Sequence, residues 1–240
     1  MIPSHDLPIP ARALAVGAHP YDIEFGCGAT LAKWTAAGTH VELLVLTDGS
    51  KGTWDPDVDP AALRTLRAEE QQAAARALGA ADVHLLGRVD GELENDRTTR
   101  AAVCAVIRSC RPDVVLGHDP WKRYRLHPDH EQAGRLVIEG IVAARDPHFF
   151  PDAGAPHRPA QLLLFEAEVV DHAEQVDEWA TAKLAALRCH RSQWRSTMGI
   201  DEWSVDAEHQ QEEFAARIRA ELAATLGAGA AEGFKRLDDL

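Results

Sequence analysis

Apolar and polar positions along the chain alternate between two periods. Short runs rich in leucine or β-branched residues, "ALAVGAH" (13–19), "VELLVLTDG" (41–49), "DVHLLG" (82–87), "DVVLGHD" (113–119) and "QLLLFEAEVV" (161–170), predict strands. Between them, Ala- and Arg-rich stretches with helical spacing predict helices over about 24–38, 60–79, 97–110 and 129–144. Two more follow the last strand, over about 174–191 and 207–226. Strands that are apolar throughout, taking turns with helices, imply an α/β fold: a Rossmann-like, mainly parallel sheet with helices on both faces. At 240 residues the chain fits a single domain, 1–240.

Such sheets bind ligands beyond the carboxyl ends of their strands, so polar residues just past each strand carry the most information. These are His19 and Asp22, then Asp48, Asp90, and His118 with Asp119. Two stretches are dense in such residues. "VGAHPYDIEFGCG" (16–28) leaves the first strand, and "GHDPWKRYRLHPDHEQAG" (117–134) leads into a helix. With Pro128 in the first helical turn, His130 projects from the helix start toward the sheet edge. His19, Asp22 and His130 together offer two imidazoles and a carboxylate to a borderline-soft divalent ion and leave a position for water. Taken singly, each histidine reads as a surface or satisfied core residue, and Asp22 as a helix cap.

The formal net charge of −13 argues against nucleic-acid and anionic-membrane partners, which require a basic face. No run is long and apolar enough for a membrane span, and "MIPSHDLPIPARALAV" lacks the sections of a signal peptide, so a cytoplasmic location is expected. Cys27, Cys104, Cys110 and Cys189 show no C-x-x-C spacing and read as small buried hydrophobes. A nucleotide site is disfavoured: no G-x-G-x-x-G follows the first strand, and Pro20 and Tyr21 block approach to its backbone.

"AHPYDIEFGCGATLAKW", "LTDGSKGTWDP", "LRAEEQQAAARALGA", "LGRVDGELEN", "RPDVVLGHDPWKRYRLHPDHEQAGRL" and "LLLFEAEVVDH" together resemble the PIG-L/LmbE-like family of zinc-dependent N-deacetylases over roughly residues 13–195. That leaves a C-terminal helical extension over about 196–240. The resemblance implies hydrolysis of an acetamido group, usually on an N-acetylglucosamine-type sugar. It assigns metal ligation to His19, Asp22 and His130, with zinc as the ion and another divalent metal as the alternative. It makes His127 the group that polarises or protonates the developing oxyanion and leaving amine, with Asp129 orienting or charging it.

Arg67 and Asp90 match positions that hold sugar hydroxyls. Their plain alternatives are a solvated helix face for Arg67 and a turn before Gly91 for Asp90. The chain departs from the family at Tyr21, where the usual His-Pro-Asp-Asp motif has the aspartate that takes the proton from the attacking water. A phenol with an ordinary pKa of about 10 is a poor copy of that base.

Two functional readings stand side by side. One is an amidohydrolase acting on an N-acylated amino sugar or glycosylated metabolite, with Tyr21 compensated by another group or recruited as a hydrogen-bond donor. The other is a metal-binding, catalytically degenerate or repurposed relative. "DPHFFPDAGAPHRPA" (146–160) reads as a loop whose Phe149 and Phe150 touch substrate or plug the core. Trp194 and Trp203 fit a pocket lining or a contact between copies in a homo-oligomer, and the acidic C-terminal stretch reads as a solvated helix and tail.

Overall fold

A computed structural model describes residues 2, 4–226 and 229–240. Five strands fall where the apolar runs predict them: β2 (Arg12–Gly17), β3 (His40–Thr47), β4 (Asp82–Arg88), β5 (Val114–His118) and β6 (Gln161–Phe165). The helices are α1 (Asp22–Ala36), α2 (Pro60–Leu78), α3 (Arg97–Cys110), α4 (Pro128–Arg145), α5 (Ala180–Arg188) and α6 (Ala207–Leu226). Their ends follow local chemistry. Asp59 accepts from Ala61 N and precedes Pro60 at the start of α2, and Gly79, at φ +76°, closes it. Asp96 caps α3 through Thr99 N.

Three further strands complete the sheet: β1 (Ser4–His5), β7 (His172–Gln175) and β8 (Ala231–Leu237). The order is β1-β7-β8-β6-β5-β2-β3-β4, and β8 alone runs antiparallel to its neighbours. The chain winds outward from β2 through β3 to β4, then restarts beside β2 with β5 and continues to β6. The direction of winding therefore reverses between β2 and β5, and a crevice opens at their carboxyl ends.

Both faces are covered. One core joins Trp34, Leu43, Leu78 and Phe165 beneath α1, α2 and α5. The other joins Leu14, Leu44, Ile107 and Val137 beneath α3 and α4. A third cluster, with Leu187, Met198, Phe214 and Ile218, packs α6 and the 194–200 turn against α5.

Two predicted boundaries shift. The helix expected from 174 starts only at Ala180, because residues 172–175 form β7. The sequence there is polar, yet His172 and Glu174 are fully buried; Glu174 accepts from Leu7 N at 2.7 Å and from Lys33 Nζ at 2.7 Å. The stretch beyond α6 is a strand rather than a solvated tail: β8 pairs with β6 through Leu162–Leu237 to Phe165–Phe234, and Phe234 is fully buried. Residues 227 and 228 of that stretch lie outside the described residues.

Candidate active site

The step His19-Pro20-Tyr21-Asp22 joins β2 to α1. Tyr21 caps the helix at φ +97°, a conformation costly for a residue with a side chain. Two side chains one turn apart on α2 hold it there. Arg67 Nη2 donates to Pro20 O at 2.8 Å, and Tyr21 N donates to Gln71 Oε1 at 3.1 Å. Gln71 is itself fixed by donating to Glu24 at 2.6 Å. The Tyr21 ring stacks on Phe25, with centroids 5.9 Å apart, and joins the α5/α6 cluster.

This fold of the chain turns His19 into a ring of carboxylates. Its Nδ1 lies 3.1 Å from Asp22 Oδ2, and its Nε2 lies 3.0 Å from Asp129 Oδ2 and 3.2 Å from Asp90 Oδ1. Burial opposes the His19 charge, but these three carboxylates outweigh it and raise the pKa to about 11. Burial opposes the Asp22 charge, yet the surrounding imidazoles hold its carboxyl well below the usual carboxylate range.

The opposite wall comes from β5, α4 and the end of β6. His127 caps α4 by accepting from Asp129 N at 3.4 Å on Nδ1, which leaves its Nε2 for the pocket. Its ring meets that of His19 edge-on at 4.5 Å. Burial and the nearby His19 lower the His127 pKa, so the ring is neutral at neutral pH and carries its proton on Nε2. Asp129 is buried and accepts from Gly91 N at 2.7 Å and Leu93 N at 3.2 Å, tying the loop after β4 to the start of α4.

His130 presents Nε2 to Asp22 at 3.6 Å, while Arg125 Nη2 sits 2.6 Å from its Nδ1. Burial lowers the His130 pKa to about 4, with the His118 and Arg125 charges adding to the effect against the pull of Asp22.

Each residue singled out from the sequence can be placed. His19, Tyr21, Asp22, Arg67, Asp90, His127 and His130 line one pocket of about 830 Å³. Asp129 stands directly behind His19. Arg67 is buried and bonded to Pro20 O and Gly49 O, which excludes a solvated helix face. Asp90 serves in the turn before Gly91, at φ +77°, and faces the pocket as well. Asp48 and Asp119 instead clasp loops: Asp48 accepts from Ser50 N, and Asp119 from Trp121 N and Glu168 N.

Phe150 packs on the α3/α4 core and plugs it, Phe149 is exposed, and neither lines the pocket. Trp194 packs in the α5/α6 cluster, and Trp203 is exposed. Burial, then the neighbouring Asp22 charge, push the Tyr21 phenol far above its ordinary pKa, so it is neutral.

Sequence reasoning left three site residues without a role. His118 sits between Asp22 at 3.3 Å and Glu166 at 3.4 Å. Glu166, at φ +54°, turns the chain away after β6 and holds Arg125 at 2.5 Å. The signal for His118 is its position at a strand's carboxyl end; nothing in the sequence distinguishes Glu166 and Arg125 from solvated charges.

Residues 14–141 match the family described as PIG-L: GlcNAc-PI de-N-acetylase. The diacetylchitobiose deacetylase of Thermococcus kodakarensis is 37% identical over 187 residues, covering 76% of this chain and 70% of that protein. A 1D-myo-inositol 2-acetamido-2-deoxy-alpha-D-glucopyranoside deacetylase of Streptomyces avermitilis is 34% identical, covering 65% of this chain and 61% of that one. Among solved structures, the N,N'-diacetylchitobiose deacetylase of Pyrococcus horikoshii superposes with a TM-score of 0.83 at 27% identity, over 95% of this chain and 84% of that one. No helix among the described residues is long and apolar enough to cross a membrane. With its doubly wound sheet, its histidine–carboxylate pocket at the switch point and these relatives, the chain belongs to the PIG-L family of de-N-acetylases, enzymes that hydrolyse C–N bonds other than peptide bonds.

Proposed function

We propose that this chain removes an acetyl or other small acyl group from the nitrogen of an amino sugar or its glycoside, using a divalent ion, zinc first, held by His19, Asp22 and His130. The observation that carries the reading is the convergence of the two imidazoles, His19 Nδ1 and His130 Nε2, on Asp22 Oδ2, at 3.1 and 3.6 Å. Around a small cation with bonds of about 2.1 Å, tetrahedrally placed ligand atoms lie roughly 3.4 Å apart. The charge also fits: Asp22, Asp90 and Asp129 surround His19, and its proton is the positive charge that a cation replaces. At His130, ligation through Nε2 requires Nδ1 to exchange its Arg125 bond for the Glu166 carboxylate, 3.8 Å away.

When bound, the ion supplies Lewis-acid polarisation of the acyl oxygen and of the attacking water. His127, neutral and with Nδ1 committed to Asp129 N, offers Nε2–H to the developing oxyanion. Asp129, anchored by two backbone N–H groups, keeps this wall in register with His19. Asp90 and the exposed Trp54 line the pocket, a carboxylate for sugar hydroxyls and an aromatic face for a sugar ring. Arg67 contributes by holding Pro20 O and Gly49 O rather than by reaching for substrate. Tyr21, neutral, takes no proton from water; the carboxylates lining the pocket outside the ligand set are Asp90, Glu166 and Glu221. Four free cysteines accord with the reducing cytoplasm.

The test is acetate release from N-acetylglucosamine and diacetylchitobiose by zinc-loaded protein. Turnover that disappears with a chelator and returns with zinc supports the reading. Stoichiometric zinc with no turnover on either sugar, or on bulkier N-acyl glycosides, identifies the degenerate relative instead.

A further inference from the structure

At the opposite end of the sheet, about 17 Å along β3 from the pocket at 3.3 Å per residue, lies a second cluster of ligating side chains. Glu42 is the third residue of β3 and His84 the third of β4, and the pairing of Glu42 with Asp82 puts both side chains on the face covered by α3. Cys110, the last residue of α3, points back onto them. His84 Nε2 lies 2.7 Å from Glu42 Oε2; Cys110 Sγ lies 2.9 Å from that same oxygen and 3.7 Å from His84 Nε2. The other carboxylate oxygen, Oε1, is bonded by Arg12 Nη2 at 3.1 Å and by His40 Nε2 at 3.0 Å, while Arg12 Nε donates to Cys110 O. Oε1 is therefore fully used, and Oε2 is the oxygen presented to the imidazole and the thiol.

We propose that Glu42, His84 and Cys110 form a second, thiolate-containing site for a borderline-soft divalent cation, separate from the candidate active site. An imidazole, a carboxylate and a thiol are the donor types such an ion selects. With bonds of about 2.1 Å to N and O and about 2.3 Å to S, the edges of a tetrahedral site run roughly 3.4–3.6 Å. The S–N edge is already there, and the two contacts to Oε2 open by less than about 1 Å as metal replaces hydrogen bonds. On binding, the Cys110 S–H bond breaks, the sulfur–metal bond forms and the proton leaves to solvent, where the partly exposed His84 gives access. Arg12 and His40 act as supports that orient the ligating carboxylate. The ion ties the start of β3 and β4 to the end of α3. Reading Cys110 as a small hydrophobe suits Cys27 and Cys104, which have no such partners, but not this position.

Cobalt(II) discriminates between the two sites, because thiolate–cobalt charge transfer in the near ultraviolet requires a cysteine and the candidate active site has none. Wild-type protein titrated with Co²⁺ is expected to develop that band, saturating within about two equivalents as both sites fill. Cys110→Ser abolishes the band. Glu42→Gln and His84→Gln weaken Co²⁺ binding at that band by about tenfold or more. His130→Ala keeps it. Circular dichroism confirms that each variant is folded, and the wild-type spectrum does not depend on any variant. A wild-type protein without the band, a band that survives Cys110→Ser, or one lost in folded His130→Ala overturns the proposal.

Discussion

The two His-Pro steps, His19-Pro20-Tyr21-Asp22 and His127-Pro128-Asp129-His130, deliver imidazoles to one pocket by different physical means. The second is locally self-sufficient. His127 caps α4 in an extended conformation, φ −75° and ψ 118°, accepts the Asp129 amide, and hands over to Pro128 in the first turn. The first has no side-chain cap and carries a tyrosine at φ +97°. It keeps that shape because Arg67 and Gln71, nearly fifty residues later, bond its backbone. A junction whose own residues satisfy it is rigid from the start, whereas a strained one inherits its geometry from distant packing. The proposed ligands His19 and Asp22 therefore depend on α2 in a way that His130 does not.

Loss of either ligand arm gives the largest effect. With Cys110→Ser removing the second proposed site, His19→Ala and His130→Ala should each reduce zinc from near one equivalent toward none, and withdraw several kcal/mol of transition-state stabilisation, about 10³-fold in turnover. Elemental analysis and acetate release measure both. Unchanged zinc in both variants breaks the ligand set. Next come two changes of about 10²-fold in opposite directions. His127→Ala should keep its metal and lose that factor in kcat; equal loss of metal would make His127 a ligand. Tyr21→Asp restores a carboxylate beside the attacking water and should gain up to that factor on N-acetylglucosamine, read as kcat on folded, zinc-loaded protein.

A smaller contrast tests the difference between the steps directly. Arg67→Ala should weaken zinc binding roughly tenfold, measured by chelator competition, because it frees Pro20 O and the strained turn. Pro128→Ala, on the self-capped step, should leave zinc affinity within about twofold and cost no more than about 1 kcal/mol in urea unfolding. Equal effects of the two would remove the distinction. A comparably small effect is expected of Tyr21→Phe. With the phenol neutral and its ring packed against Phe25, the rate should stay within about threefold, less than one hydrogen bond of about 1 kcal/mol supplies. A larger fall would show that the hydroxyl donates to substrate.

Much of this was legible because it is periodic or local. β2 through β6 are short and apolar, α2 and α4 begin with Pro after a capping residue, and the two His-Pro steps stand where ligands bind in such sheets. What escaped depends on partners far away in the chain. β7 reads "HAEQ", and its burial makes sense only with Lys33 and the backbone of Leu7 around Glu174. β8 carries Glu232, Lys235 and Arg236 among its apolar residues, and Glu232 is buried against Lys183 and the amides of Ala29 and Thr30. Likewise Arg67, one arginine on an Ala-rich helix, showed nothing in sequence of the carbonyls it would meet, and Glu166 nothing of His118.

The placement of β8 has a consequence for how the molecule is made. It is the last strand of the sheet to leave the ribosome, yet it lies between β6 and β7, bonded to both. Until residues 231–237 emerge, the Leu162–Phe165 edge of the nascent sheet has no strand on that side, and β7, with β1 beyond it, has no strand linking it to the rest of the sheet. An apolar strand with a free edge is the surface that chaperones shield and that aggregates form on. The sheet is therefore completed by the closure of a gap rather than the addition of an appendage, and a chain that has released β1 to β7 but not β8 holds a sheet still in two pieces.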